Sequence, residues 1–256
     1  NLGGTLQELG RVDEALASYT QAIALKPGFA EAHCNLGVTL KNLGRFEESK
    51  DSFEQAVKIK PHYADAHSNK AFLHLSLLDF EAGWQSFEWR WKVSKDTPQF
   101  LNTSKPLWKP LMKQRVLLWG EQGLGDEIMF ASLILDIHSS SSKLIVQTDQ
   151  RLVDLFKRSF PDKIDFRPRD EIVSETEYDA HMPLGSAPLH FRQTLESFKG
   201  RREGWLSACS TRAKILRSKL LSDDSEVLIG ISWHTTAHRN GAQNRLIPLN
   251  QIAQML

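Results

Sequence analysis

Residues 29–61 read FAEAHCNLGVTLKNLGRFEESKDSFEQAVKIKP, and this pattern recurs on both sides at a shift of about 34 residues. Leu2-Gly3 falls on Leu36-Gly37, and Gly37 falls on Ala71. Leu9-Gly10 falls on Leu43-Gly44, and Leu43 on Leu77. Tyr19, Phe53 and Phe87 share one position, as do Ala22, Ala56 and Arg90. Pro27 and Pro61 end the first two repeats, since proline cannot continue a helix. The small residues let paired helices approach closely while the aromatics plug between them. Such a sequence stacks helix pairs so that each repeat buries its neighbour's apolar face.

The stretch 29–61 resembles a tetratricopeptide repeat along its whole length. The resemblance implies a helical solenoid with a concave groove for a peptide or protein, and Asn35, Lys41, Asn69 and Lys70 are candidate lining residues. A plain spacer or a dimerisation surface is the alternative use. The third repeat drifts from the pattern. Its second helix reads DFEAGWQSFEWRW over 79–91, with Trp84, Phe87, Trp89 and Trp91 around Arg90. So many aromatics in one helix predict docking onto the next domain, with the indoles buried and Arg90 stacked among them. Carbohydrate stacking on the tryptophans is the functional alternative. Residues 94–113, with Pro98, Pro106 and Pro110, read as a connecting segment.

From Arg115 the period changes. RVLLWG (115–120) suits a buried strand, EQGLG (121–125) a glycine-bearing loop, and DEIMFASLILDIHS (126–139) a helix. KLIVQT (143–148), QRLVDLFKRSF (150–160) and KIDFRP (163–168) continue as strand, helix and strand, and YDAHMPL (178–184) as a further strand opening into a loop. This alternation implies a parallel sheet whose ligand lies beyond the carboxyl ends of the strands. RREGWLSACSTRAKILRSKLL (201–221) reads as a basic helix with a solvated face. EVLIGISW (226–233) begins a fresh strand, followed by a polar loop and the start of a helix. The expected organisation is therefore a repeat array over 1–93 (three repeats, the first incomplete), a linker over 94–113, an α/β domain over 114–225, and the first elements of a second α/β domain over 226–256. Both ends read as cut, since the chain opens inside a repeat and closes inside a helical pattern.

Composition narrows the functional classes. The hydrophobic fraction is 41% and the charged fraction 25%, as in globular proteins. A net charge of +1, from 32 basic and 31 acidic residues, gives no electrostatic reason for a nucleic-acid partner. Cys34 and Cys209 stand far apart without metal-ligand spacing, which disfavours a disulfide framework and fits a reducing, cytoplasmic setting. No apolar run approaches the roughly 18 residues of a membrane span.

The loop from Gly120 to Asp126 carries the chemistry. Gly123 and Gly125 permit a tight turn from strand to helix. A helix starting at Asp126 would hold this carboxylate ionised and exposed at the functional edge of the sheet, as a general base requires. The bland alternative is an N-cap, a common role for Asp. The glycines run G-x-x-G-x-G, which is not the dinucleotide order, although Asp149 after the second strand stands where a ribose ligand would. No P-loop Lys-Ser/Thr pair follows. His181, His190 and His234 lie at strand ends or loops without zinc-site spacing.

LLWGEQGLGDEIMFASLI (117–134) resembles the opening of bacterial glycosyltransferases related to the lipopolysaccharide heptosyltransferases. Repeat-fused members of that family show a similar GW…EWRW helix, matched at Gly83-Trp84 and Glu88 to Trp91. They also carry a PLxSLP loop, matched by Pro183, Leu184, Ser186 and Pro188 with Ala187 in place of leucine. An IGISW strand with a nearby arginine is matched at Ile229 to Trp233 and Arg245. The resemblance implies a GT-B arrangement of two Rossmann-like domains, acceptor on the first and nucleotide-sugar on the second. It casts Asp126 as the base that deprotonates the acceptor hydroxyl, and Thr235, Thr236 and Arg245 as the groups that hold the donor diphosphate without a metal. Arg245 replaces the lysine of several family members.

The leading expectation is thus a glycosyltransferase, of which this chain is an inactive fragment lacking most of the donor domain. Asp126 is catalytic, and Gly123, Gly125, Glu121, Gln122, Ser186, Thr235, Thr236 and Arg245 bind substrate. Glu121 and Gln122 would hydrogen-bond an acceptor sugar, or merely shape the turn. The implied partners are a nucleotide-sugar donor, a glycan, lipid or protein acceptor, and a protein in the repeat groove, with no further cofactor, no metal and no nucleic acid. A repeat scaffold that has lost catalysis is the second reading, and a dinucleotide-dependent enzyme the third.

Overall fold

A computed structural model describes residues 2–93, 100–199 and 204–221. Residues 1–207 form one compact unit and residues 208–256 another. The repeat array and the sheet, expected as separate domains, therefore share the first unit.

The array is three helix pairs: α1 (Leu2–Glu8) with α2 (Val12–Leu25), α3 (Ala30–Asn42) with α4 (Phe46–Ile59), and α5 (Ala64–Ser76) with α6 (Phe80–Phe87). The repeat rule is visible in the packing. A Cβ added at Gly3 would lie 2.5 Å from the Tyr19 ring, and one at Gly37 would lie 2.7 Å from Phe53 Cε1. Ala71 and Phe87 take the same positions in the third pair, and both are buried. Close helix approach thus requires the small residue, and the aromatic occupies the space it leaves.

The loop inside each pair repeats as well. Arg11, Arg45 and Asp79 each donate their backbone N–H to the carbonyl of Leu6, Leu40 and His74 respectively, all at 2.9 Å. The residue just before each of these donors is left-handed: Gly10 and Gly44 at φ 75°, but Leu78 at φ 62°. Glycine takes this conformation freely, whereas a leucine Cβ is strained there. The third repeat also replaces the buried Leu6 and Leu40 with His74, whose Nδ1 is 2.7 Å from the Asp79 carboxylate.

Beyond a 3-10 turn (Glu88–Lys92) lies a parallel sheet in the order β3-β2-β1-β4, built from β1 (Arg115–Trp119), β2 (Lys143–Thr148), β3 (Asp165–Pro168) and β4 (Ala180–Pro183). β1 pairs with β2 on one side and β4 on the other, so the chain reverses its direction of growth there. Alternate residues of β1 feed opposite faces, as the pleat demands. Val116 and Leu118 join a core with Phe130, Ile134, Phe156 and the array residues Ala71 and Phe87. Leu117 packs with Ile145 and Tyr178 on the other face.

The helix expected over 126–139 is two, α7 (Leu124–Ala131) and α8 (Ile134–Ser140), and it starts two residues early. α9 (Gln150–Ser159) crosses from β2 to β3, and the short α10 (Pro188–Phe191) follows β4. Part of the expected linker is integrated into the sheet. Trp108 donates its N–H to the His181 carbonyl at 2.8 Å, His181 donates back to Pro106 at 3.0 Å, and the Trp108 indole is buried in the core. In the second unit α11 (Ser210–Leu220) is exposed along its length. The expected strand and loop over 226–256 lie outside the described residues.

Replacing Leu78 by glycine removes the left-handed strain at a small entropic cost and should raise stability by about 0.5–1 kcal/mol in urea unfolding. Gly37→Ala should lower it by about 1–3 kcal/mol, because the new methyl has no room beside Phe53.

Candidate functional site

The sheet reverses between β1 and β4, and open α/β sheets bind ligands beyond the carboxyl ends of such strands. The loop Gly120–Gly123 leaves β1 at this point, and Gly123 stands at the N-cap of α7 with φ −69° and ψ 165°. Asp126 therefore sits inside the first turn. It is not the cap, and no side chain caps this helix end. Its carboxylate is exposed, beside first-turn N–H groups that have no partner within the helix. Neither loop glycine has a left-handed φ. Gly125 faces open space, and a Cβ on Gly123 would stand 3.4 Å from the Asp126 carboxylate. Both leave bare backbone around that carboxylate, where another molecule can approach.

Two other carboxylates flank the loop, and both are turned inward. Glu121 has a side chain only 1% exposed, with Arg90 Nη2 3.0 Å from its Oε1. The Gly185 N–H donates to it at 3.1 Å. Burial pushes the Glu121 carboxyl above the usual carboxylate range, against the opposing pull of Arg90 and of the Gly185 N–H. Arg90 Nη2 also donates to Ser186 Oγ at 2.7 Å, and its Nη1 to Glu88 Oε1 at 2.6 Å. Ser186 Oγ donates in turn to Glu88 at 2.8 Å. Arg90, Ser186 and Glu88 thus close a hydrogen-bonded ring, and Glu121 joins it through Arg90.

Glu127 guards the opposite side. It accepts from Thr148 Oγ1 at 2.5 Å and from the Asp149 N–H at 2.9 Å, and it pairs with the Arg169 guanidinium. Arg169 also donates to the Gln122 carbonyl at 3.0 Å. Two glycines are sterically demanded at this edge. A Cβ on Gly120 would meet Glu127 Cδ at 2.6 Å, and one on Gly185 would run into the Glu121 carboxylate.

The structure thus brings Glu121, Gln122, Gly123, Gly125, Asp126 and Ser186 to one sheet edge. It turns the side chains of Glu121 and Ser186 inward to Arg90, whereas that of Asp126 faces solvent. Asp149 caps α9, accepting from the Arg151 N–H at 3.0 Å, and its Arg151 partner holds its carboxyl down at about 2. It lines an open cavity of about 380 Å³ together with Gln150, Arg169 and Asp170. His181 is buried; its Nδ1 accepts the Trp119 indole N–H at 3.1 Å, and burial lowers its proton affinity. His190 is exposed beyond the end of the sheet. Thr235, Thr236, Arg245 and His234 lie outside the described residues. Among the described residues no group of three His, Cys, Asp or Glu side chains is arranged to hold a metal ion.

In the array, Asn35, Lys41, Asn69 and Lys70 are half-buried on α3 and α5. The Asn69 amide lies 3.8 Å from Cys34 Sγ, Lys70 lies 3.7 Å from Glu54, and burial pulls the Lys41 ammonium below its usual range.

Sequence reading missed Glu127, Arg169 and Gly185, and it placed Gly120 in the loop without its steric role against Glu127. A signal for Glu127 was present: it shares helical spacing with Phe130, Ala131 and Ile134, which marks a carboxylate on the buried face.

Comparison with known proteins bears on the array. A family model described as TPR repeat matches residues 3–44, and one described as tetratricopeptide repeat matches 30–63. The N-terminal segment carries tetratricopeptide repeats. Protein FlbA of Caulobacter vibrioides is 27% identical over 139 residues, 48% of this chain and 23% of FlbA. The chain thus spans about a quarter of that relative's length. Similar solved structures include the TPR2B domain of yeast Sti1 in complex with pHsp70, at 20% identity and TM-score 0.33, covering 34% of this chain and 70% of that one. The first TPR of Spaghetti (RPAP3) bound to the HSP90 peptide SRMEEVD is 21% identical with TM-score 0.35, covering 36% of this chain and 73% of that one.

Asp126→Asn should leave stability within about 0.5 kcal/mol, since the carboxylate is exposed. Arg169→Met should lower it by about 1–3 kcal/mol by leaving the Glu127 carboxylate with neutral donors only. Chemical denaturation of the two variants checks both.

Proposed function

We propose that the protein is a glycosyltransferase and that its sheet is the acceptor-side, Rossmann-like half of a GT-B enzyme. The observation that carries this reading is the exposed Asp126 carboxylate in the first turn of α7, at the point where the sheet reverses. The order β3-β2-β1-β4 supports this reading, since it is the order of the first four strands of a doubly wound sheet. In the reaction, Asp126 takes the proton of an acceptor hydroxyl. The hydroxyl oxygen forms a bond to the anomeric carbon of a nucleotide-sugar, and the bond from that carbon to the phosphate oxygen breaks. Nucleoside diphosphate leaves with the electron pair. Thr235, Thr236 and Arg245 hold the diphosphate in this reading, as hydroxyl and guanidinium donors can without a metal.

The repeats select or position the acceptor or bind a protein partner. A second reading, a repeat scaffold without catalysis, is favoured by the repeat matches over 3–63.

The test is nucleoside diphosphate release by the full-length protein, with a panel of nucleotide-sugars and with candidate glycan, lipid and protein acceptors. The transferase reading expects release that depends on one donor and falls roughly 10²–10⁴-fold in Asp126→Asn, the span of general-base catalysis. Release unaffected by Asp126→Asn would remove that residue's role. Silence with every donor and acceptor would leave the scaffold reading.

A further inference from the structure

The group that fixes the candidate site from behind belongs to the repeat array. Arg90 lies in the 3-10 turn Glu88–Lys92 that ends the third repeat, 31 positions before its partner Glu121 and 96 before Ser186. Its side chain is 7% exposed and is sandwiched by aromatics, with its guanidinium carbon 4.7 Å from the Phe87 ring and 4.5 Å from the Trp91 ring. From there it reaches both lips of the sheet reversal: Glu121 on the loop leaving β1, and Ser186 on the loop leaving β4. Gly185 completes the clasp by donating its N–H to Glu121.

Neighbouring residues of the same short stretch grip the same unit. Trp91 lies 5.7 Å from Trp119, the last residue of β1. Trp84 and Phe87 lie 6.2 Å and 6.3 Å from Phe130 on α7, one turn beyond Asp126. Trp84 Nε1 donates to the Arg192 carbonyl after α10 at 2.8 Å. β1, α7 and the β4 loop are therefore each touched by residues 84–91.

We propose that Arg90 is a positioning residue for the Asp126 site, holding the β1 and β4 loops in register so that the carboxylate faces the acceptor. This rests on the transferase reading for its kinetic arm only. A guanidinium does this where an ammonium cannot, because its planar fork serves Glu88 from one nitrogen and Glu121 with Ser186 from the other. The role also differs from plain charge neutralisation. If Arg90 merely cancelled the buried Glu121 charge, a neutral pair would do as well.

The experiment compares Arg90→Lys, Arg90→Met, Glu121→Gln and the Arg90→Met/Glu121→Gln double variant in the full-length protein. It reads thermal stability, exchange of the hydrogen-bonded loop amides Gly120, Gly185 and Ala187, and the kcat and KM of transfer. The double variant should regain most of the stability that Arg90→Met loses, yet keep fast exchange at Gly120, Gly185 and Ala187. Its kcat should stay roughly 10–100-fold down, the scale expected when a reacting group is misplaced by about an ångström, with donor KM little changed. Arg90→Lys, which keeps the charge and loses the fork, should show the same loop exchange in a folded protein. Exchange at Gly120, Gly185 and Ala187 equal to wild type in folded Arg90→Lys and in the double variant would overturn the proposal. So would full recovery of kcat together with stability in the double variant. If wild type transfers no sugar, the transferase reading fails by itself, and the exchange arm still decides whether Arg90 sets the loop.

Discussion

A guanidinium with 7% of its side-chain surface exposed must find partners for its charge within the fold, and Arg90 finds them in two different parts of the chain. Glu88 comes from its own turn, while Glu121 and Ser186 come from the two loops at the reversal of the sheet. The carboxylates in turn need the arginine: burial pushes Glu121 toward its neutral form, and Arg90 opposes that push. The last repeat gives Arg90 the Glu88 carboxylate, the sheet edge gives Glu121 the Gly185 N–H, and further bonds of both run between the two. The Arg90–Glu121 pair thus joins the array to the sheet inside the unit formed by residues 1–207.

The rest of the edge follows from this closure. With Glu121 drawn toward Arg90 on one side and Glu127 toward Arg169, Thr148 and the Asp149 N–H on the other, the loop between them has its direction fixed at both ends. Gly120 and Gly185 are the positions where a side chain would strike these carboxylates. The segment 121–127 then has one carboxylate left for solvent, Asp126. The edge thus sets buried, hydrogen-bonded carboxylates behind one exposed carboxylate, although Arg90 Nε is buried without a hydrogen-bond partner among the described residues.

The repeats were legible because their rule is local and recurs. Small residues at 3, 37 and 71 and aromatics at 19, 53 and 87 announce their own packing. The strands were legible as short apolar runs, since both faces of the sheet are covered. The aromatic stretch that ends the third repeat was legible as a docking element only in part: Trp84 and Trp91 pack against Phe130 and Trp119, whereas Trp89 stacks on His67 of the array, 3.7 Å away. Less visible was what each polar residue does. Glu121, Asp126 and Glu127 stand within one short segment, and composition alone does not say which two turn inward. That depends on Arg90 and Arg169, each more than thirty positions away in sequence. The break between α7 and α8 was also missed, since the apolar pattern runs through it unbroken. Likewise Pro106 and Trp108 read as linker, although backbone hydrogen bonds tie them to β4.

The central claim is that the end of the repeat array and the sheet edge are one cooperative structure. Native-state hydrogen exchange across a denaturant series tests it most directly, by giving the opening free energy of α5 and α6 amides beside those of β1 and β4. The account predicts that these values converge on one common opening, with α1 and α2 free to open earlier as a solenoid end does. Opening of α5 and α6 at low denaturant, while β1 and β4 stay fully protected, would contradict it.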